Sequence, residues 1–208
     1  MRAKITLFAV SLLVALAAGL SYHLLDRSIA LWVHTLPRWV DDTAKWVSVL
    51  GRSELCLVPL AVAFALLHWR QRHADAARCA FVFTAVATAT LLVQILKYLC
   101  GRYRPKLFLE DGLYGLQFLT MGREGYDNTS MPSGHTATVF AFAMAMAIIF
   151  PRLRWLWFVL AVPIALSRVF TESHYLSDVI AGACIAILIT LAIEQAFTQR
   201  DIRLRPSA

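Results

Sequence analysis

Long apolar stretches dominate this chain and leave few folds open to it. The hydrocarbon core of a bilayer is about 30 Å thick, and a helix needs roughly 20 mainly apolar residues to cross it. Six segments approach that length, and they run over 5–25, 53–69, 77–99, 134–150, 155–171 and 175–197. The second segment is the weakest, because Arg52 and Glu54 leave an uninterrupted apolar run over 55–67 alone. The pattern predicts six transmembrane helices.

The composition supports a membrane protein over a soluble helical one. Of the 208 residues, 59% are hydrophobic and 16% are charged, and the mean hydropathy is +0.63. Six apolar helices with so few charged residues have no polar faces to turn toward water. The sequence also contains no internal repeat and no Pro/Gly-rich linker. We therefore expect a single all-α, polytopic membrane domain over 1–208.

The positive charges indicate how this domain is oriented. The net charge of +7 comes from cations scattered between apolar segments, without the basic stripe that nucleic acid requires. We therefore expect a lipid bilayer as partner and no nucleic acid. Cytoplasmic loops are enriched in Lys and Arg, and the short connections 70–78 and 152–154 are basic. If both face the cytoplasm of a bacterial inner membrane, both termini lie there as well.

The first segment has some features of a cleaved secretory signal. Basic residues precede it, and Ala15-Leu16-Ala17 has the small-residue pattern of a cleavage site. Its apolar run is longer than that of a typical signal, so we expect a retained helix. Removal would leave the orientation of the other five segments unchanged.

Three groups of polar residues stand at the ends of the predicted helices. They are Lys97 with Arg104-Pro105, then Pro132-Ser133-Gly134-His135, then Ser167-Arg168 with His174 and Asp178. In the predicted topology all three groups lie at the outer, periplasmic or external face. Ionisable residues at membrane depth are costly and usually functional. The sequence therefore predicts one polar site at this face.

Several of these residues suit a bound anion. Lys97 and Arg104 supply positive charge, and Pro105 disfavours helical geometry at Arg104, so a loop should begin there. The amides that open the helix after Ser133 attract an anion. Arg168 adds a forked donor that matches phosphate oxygens. Taken singly, each has a plainer interpretation, such as a snorkelling lysine or a helix cap, but together they predict a phosphate site.

His174 and Asp178 suit a nucleophile held in place by a carboxylate. They are four residues apart at a predicted helix start and so share a face. A carboxylate bonded to one ring nitrogen fixes the tautomer and leaves the other nitrogen free to attack. With His135 they also resemble a two-histidine, one-carboxylate metal set. Three cations would repel a divalent metal but complement a phosphate, so we expect neither a metal nor another cofactor.

The three groups together resemble the motifs of the type 2 phosphatidic acid phosphatase superfamily, in its membrane lipid phosphatase branch. Those motifs read K-x6-R-P, P-S-G-H and S-R-x5-H-x3-D. Their order and internal spacing agree with this chain over 97–178 without a departure at any motif position.

This resemblance implies a role for each residue. His174 would attack phosphorus and form a phosphohistidine, with Asp178 orienting its ring. His135 would protonate the leaving oxygen and then assist the attack of water. The residues that would bind the phosphate are Lys97, Arg104, Ser133, Gly134 and Arg168. No metal is required.

The resemblance also implies an enzyme that hydrolyses a phosphate or diphosphate monoester of a membrane lipid. Similar proteins act on undecaprenyl diphosphate, phosphatidylglycerophosphate, phosphatidic acid or lipid A phosphate. We favour an isoprenoid or glycerolipid phosphate, with lipid A close behind. Two other functions stay open, namely phosphate transfer from one lipid to another, and lipid-phosphate binding or transport without turnover.

Overall fold

The computed structural model describes residues 2–119 and 125–205, and the side chains of that range from residue 12 onward. Within these residues the regular structure is helical, apart from an isolated antiparallel bridge between Arg102 and Leu116. The α-helices described are α1 (Arg2–Leu24), α2 (Asp26–His34), α3 (Arg38–Val49), α4 (Ser53–Trp69), α5 (His73–Cys100), α6 (Pro105–Asp111), α7 (Gly134–Ile149), α8 (Arg154–Phe170) and α9 (Leu176–Thr198). The predicted all-α class is confirmed.

The six predicted segments correspond to α1, α4, α5, α7, α8 and α9, and their ends differ by at most four residues. By length and composition, four helical runs can each cross a membrane, namely Arg38–Trp69, His73–Cys100, Pro151–Phe170 and Leu176–Thr198. A fifth is gained if Leu12–Leu24 and Asp26–His34, which meet at 57°, form one span. The helix α7 is apolar but shorter. The chain is thus a multi-pass membrane protein, with four to five candidate spans among the residues that the structure describes.

Helix α7 lies at the centre of the bundle, packed against α5, α8 and α9. Its Ala137, Ala141 and Ala145 are fully buried in one cluster with residues of α5, among them Val86 and Val93. Small side chains let helix backbones approach closely inside a membrane. The alanine-rich sequence of α7 therefore explains its central position.

The outer surface of the bundle is strongly apolar. Leu13, Leu16 and Leu20 on α1 are each at least 60% exposed, and Val159 on α8 is 65% exposed. A continuous surface of this kind is rare on a soluble monomer. It fits helices that face lipid tails.

The six predicted segments do not include α2, α3 and α6, which lie at one end of the bundle. Helix α2 contacts α6, α8 and α9, and α3 packs along α8. At this same end α5 and α8 finish, and α7 and α9 begin. We call it the site end of the bundle.

Candidate active site

All eight residues predicted for the site lie at the site end. Lys97 and Arg168 stand in the last turns of α5 and α8, and the other six follow α5 or lie at the starts of α7 and α9. The backbone N–H of Ser133 donates to the carbonyl of Asp178 at 3.0 Å. A Cβ on Gly182 would lie 2.6 Å from the Ser133 carbonyl oxygen, so only glycine allows this approach. The second and third motifs are therefore in direct contact.

His174 is almost completely buried, with 2% of its surface exposed. Its Nδ1 lies 3.6 Å from Asp178 Oδ2 and 3.5 Å from the hydroxyl of Ser130. Ser130 itself donates to Asp178 Oδ2 at 2.6 Å. Both Nδ1 distances are longer than an ordinary hydrogen bond, so the bonded pair of Ser130 and Asp178 faces the imidazole together. The Nε2 atom is the ring nitrogen on the other side.

The surroundings of His174 favour its neutral form. Burial lowers the pKa of His174 well below its ordinary value, and the positive charges of Arg104 and Lys97 add to this effect. The Asp178 carboxylate opposes the shift and does not overcome it. A neutral imidazole keeps the lone pair that a nucleophile needs.

Arg104 holds two loops together at the centre of the site. Its guanidinium donates to the carbonyls of Ser173 at 2.7 Å, Tyr126 at 2.9 Å and Thr129 at 3.3 Å. It also stacks over the Tyr126 ring, 3.7 Å from the centroid. A guanidinium has five N–H donors, so two are left after these three bonds.

The other two cations approach from α5 and α8. Arg168 Nη1 donates to the hydroxyl of Ser48 at 2.5 Å, and its Nε is buried without a partner among the described residues. Lys97 is 8% exposed, and its ammonium lies 3.8 Å from where a Cβ on Gly134 would be. Lys97 therefore stands against the first turn of α7, where the helix dipole is positive.

A cleft of about 570 Å³ opens beside these residues. The junction of α3 and α4 forms one wall, and α5 and α7 form the others. The cleft is lined by Gly51, Arg52, Ser53, Glu54, Leu55, Thr90, Gln94, Lys97, Gly134, His135 and Thr138. His135 is within reach of the positive charge of four side chains, namely Arg168, Lys97, Arg52 and Arg104. The cleft is thus the open side of the site.

Sequence reasoning missed a buried ionic network behind Asp178. Arg102, which is fully buried, bonds Asp178 Oδ1 through one nitrogen and Asp26 Oδ2, at 2.6 Å, through another. Asp26 also accepts bonds from Ser177 and Ser21. Arg102 therefore holds the second oxygen of Asp178.

A signal for Arg102 was present in the sequence, since it is a third cation between Lys97 and Arg104. Asp26 gave none, because an acid at a helix end near a membrane surface usually faces water. Ser130 stands two residues before the second motif, and its position gave no local signal either.

In the structure, Asp178 of the metal set considered from the sequence already bonds another side chain. Among the described residues, no group of three or more His, Cys, Asp or Glu side chains could hold a metal ion. The guanidinium of Arg102 occupies one oxygen of Asp178. The positive charge of Arg102 therefore already balances the one carboxylate of that set.

Two curated relatives are lipid A 1-phosphatases. The protein of Rhizobium etli is 40% identical over 103 residues, which cover 50% of this chain and 43% of the relative. That of Rhizobium johnstonii is 35% identical over 120 residues, which cover 58% of this chain and 48% of the relative. The chain thus spans about half the length of these relatives.

A solved structure shares the fold along nearly the whole chain. The transmembrane PAP2-type phosphatidylglycerolphosphate phosphatase of Bacillus subtilis superposes with a TM-score of 0.66, covering 98% of both chains. The two sequences are 20% identical, so this likeness concerns the fold.

The family follows from the sequence match. The model of the PAP2 superfamily matches residues 78–201, which is more than half of the chain. That range includes all three motifs and the eight predicted site residues. With its motifs gathered at one end of a shared membrane fold, this chain belongs to the PAP2 superfamily.

Proposed function

We propose that this chain is a lipid phosphate phosphatase that works without a metal. It hydrolyses a phosphate or diphosphate monoester of a membrane lipid through a phosphohistidine. The observation that carries this proposal is a buried His174 whose Nδ1 faces Ser130 at 3.5 Å and Asp178 at 3.6 Å. Burial lowers the pKa of this ring, and the positive charges of Arg104 and Lys97 lower it further. A protein that only bound a lipid phosphate would need the cations, but not His174 together with Asp178.

In the first step His174 Nε2 attacks phosphorus with its lone pair. A P–N bond forms, and the bond between phosphorus and the lipid oxygen breaks. His135, on the cleft side, gives a proton to that oxygen, so the lipid leaves as a neutral alcohol. If the substrate is a diphosphate, the leaving group is the lipid monophosphate.

In the second step water replaces His174 on phosphorus. His135, now neutral, accepts a proton from the attacking water, and the P–N bond breaks. Inorganic phosphate leaves, and both histidines return to their starting protonation states. The backbone amides of α7 and the side chains of Lys97, Arg104 and Arg168 would stabilise the charge on the phosphoryl oxygens. Ser133 and Gly134 bring those amides close to it.

The membrane arrangement is part of the proposal. We propose that α1, α4, α5, α7, α8 and α9 each cross a bacterial inner membrane, as one domain over 1–208. The basic connections of α4 to α5 and of α7 to α8 support a cytoplasmic location for both termini. The site end then faces the periplasm or exterior, at the plane of the lipid headgroups.

The substrate is proposed from the relatives. Sequence alone favoured isoprenoid or glycerolipid phosphates. The two Rhizobium relatives described above are named for lipid A, which supports a lipid A type phosphate as the first candidate. The other candidate lipids are tested beside it in the panel described next.

A lipid panel with released phosphate as readout tests the reaction. We expect purified protein to release phosphate from at least one lipid, with and without a chelator. We expect His174→Asn to abolish release, because no nucleophile remains. Chelator-sensitive release that survives this substitution would contradict the proposal. Labelled phosphate that appears mainly on a second added lipid would instead identify a transferase. Tight lipid binding with no trapped phosphoenzyme would identify a binding protein.

Thiol labelling tests the orientation. Asp111 is exposed at the end of α6, at the site end, and Arg152 is exposed at the opposite end. After removal of the native cysteines, Asp111→Cys should react with an impermeant reagent in intact cells. Arg152→Cys is the control and should react only after lysis. The reverse pattern would overturn the topology.

A further inference from the structure

The cleft holds polar side chains that no motif contains. Arg52, Glu54 and Gln94 line it and are exposed. In the part of the chain that the structure describes, these three side chains make no hydrogen bond or ion pair. Thr90 and Thr138 line the same cleft but lie 3.3 Å apart, within bonding distance of each other. The threonines therefore join α5 to α7, whereas the other three side chains are available to a ligand.

Gln94 lies deeper in the cleft than the phosphate-binding lysine. It precedes Lys97 by three residues on α5, so the two share a helix face and are separated by about 4.5 Å along the axis. Lys97 is nearer the site end of that helix. When the phosphate of a lipid contacts Lys97, the leaving group is the part of that lipid that extends from the phosphate toward the bilayer. Gln94 is therefore beside the leaving group and not beside the phosphate.

Arg52 and Glu54 belong to the same side of the cleft. Gly51, the residue before Arg52, lies against His135, the proposed donor of a proton to the leaving oxygen, because a Cβ on Gly51 would be 3.0 Å from the imidazole Cδ2. Glu54 follows Arg52 by two residues, in the first turn of α4. The start of α4 is thus next to the bond that breaks.

The negative charge of Glu54 is unfavourable if this part of the cleft receives a phosphate. Two negative charges at close range near a protein surface repel each other. A carboxylate therefore disfavours the second phosphate of a diphosphate at this position. Carboxylate and amide oxygens accept hydrogen bonds from O–H and N–H groups instead.

We infer that Gln94 and Glu54 form a binding site for hydroxyl or amide N–H donors carried by the leaving group next to the phosphate. This inference rests on the proposed function and narrows its substrate class. An acylated amino-sugar phosphate has such donors, and so does phosphatidylglycerophosphate on its glycerol. Phosphatidic acid and polyprenyl phosphates have none in their leaving groups.

Competing lipids test the inference. In mixed micelles, we expect wild-type protein to show a kcat/KM at least tenfold higher for an acylated glucosamine 1-phosphate or for phosphatidylglycerophosphate than for phosphatidic acid or a polyprenyl phosphate. Comparison of the two preferred lipids identifies whether the donors belong to a sugar or to glycerol. Gln94→Leu and Glu54→Leu should each reduce this preference by about tenfold, the effect of losing one hydrogen bond to an unsatisfied partner. The matched control is Gln195→Leu, at the far end of α9, which should keep the preference.

Equal kcat/KM values for all four lipids in the wild type would overturn the inference, even if a variant failed to fold. An equal loss on every lipid in both variants would do so as well. These results differ from a failure of the proposed function, which would appear as no release from any lipid or as release that persists in His174→Asn.

Discussion

At the scale of single residues, Ser130 is the least expected member of the site. It lies outside the family motifs, yet its hydroxyl is 2.6 Å from Asp178 and 3.5 Å from His174. A carboxylate 3.6 Å from the imidazole orients it weakly. We propose that Ser130, which bonds the carboxylate and faces Nδ1, is a positioning residue for the ring.

Substitution of Ser130 tests this role. Ser130→Ala should lower kcat by roughly 10- to 100-fold, because a misplaced reacting group loses about that much rate, while KM changes little. Steady-state phosphate release measures both constants. The exposed Thr43, whose hydroxyl bonds only a carbonyl of its own helix, provides the control Thr43→Val. An unchanged kcat in Ser130→Ala would exclude the role.

The protonation of His174 provides a second prediction at this scale. Its lowered pKa means that the ring stays neutral as the pH falls through the ordinary histidine range near about 6.5. The unfolded chain does bind a proton in that range, so this residue lowers the free energy of unfolding as the pH drops below it. Nitrogen NMR of labelled histidine, assigned with His174→Asn, reads the charge state. Protonation of this ring at or above pH 6.5 would contradict the structure.

The motif residues could be predicted from sequence because each motif is local in the chain. The sequence marks Arg102 as a further cation, but the role that it shares with Asp26 could not be predicted, because that role depends on a contact across 76 residues. A buried arginine between two carboxylates has the same sequence appearance as an arginine that binds headgroups. Only the packing of α2 against the start of α9 distinguishes the two.

At the scale of helices, the crossing of α7 and α9 decides the geometry of the site. Gly182 lies where the carbonyl of Ser133 touches α9. This contact sets the distance between the second and third motifs. The crossing thus connects a packing detail in the membrane to the separation of the proposed catalytic groups.

Two glycine substitutions test the crossing. Gly182→Ala should destabilise the fold by about 1–3 kcal/mol, because overpacking forces the helices apart, and should reduce phosphate release. Gly19→Ala on α1 is the matched control, since a Cβ there meets nothing within 4 Å. Thermal unfolding in detergent, followed by tryptophan fluorescence, compares the two variants. Equal midpoints would show that the close approach is not required.

The helices that the sequence predicted are those with long apolar runs. Helices α2, α3 and α6 were missed because they are short and mix charged with apolar residues. Their stability comes from contacts with the bundle, such as that of Ser48 on α3 with Arg168. Such contacts have no signature in local hydropathy.

At the scale of the whole molecule, the polar groups gather at one end of an apolar bundle. The exposed leucines of α1 and the exposed Trp69 and Trp155 at the opposite end mark a surface suited to lipid. Water and lipid headgroups then meet the protein at the site end. Under the proposed function, the substrate then reaches the site from the bilayer itself.

The length of α7 has a consequence for the bilayer in which the protein works. Its 16 residues extend about 24 Å, less than the hydrocarbon thickness of about 30 Å. If α7 crosses as proposed, a hydrophobic mismatch pulls the leaflets together around it. We expect phosphate release to fall as the host lipids of reconstituted vesicles are lengthened at constant saturation, with detergent micelles as the reference. A rate that is independent of chain length would show that membrane thickness does not limit access. If phosphate release does fall with chain length, the proposed enzyme is most active in the thin regions of a membrane.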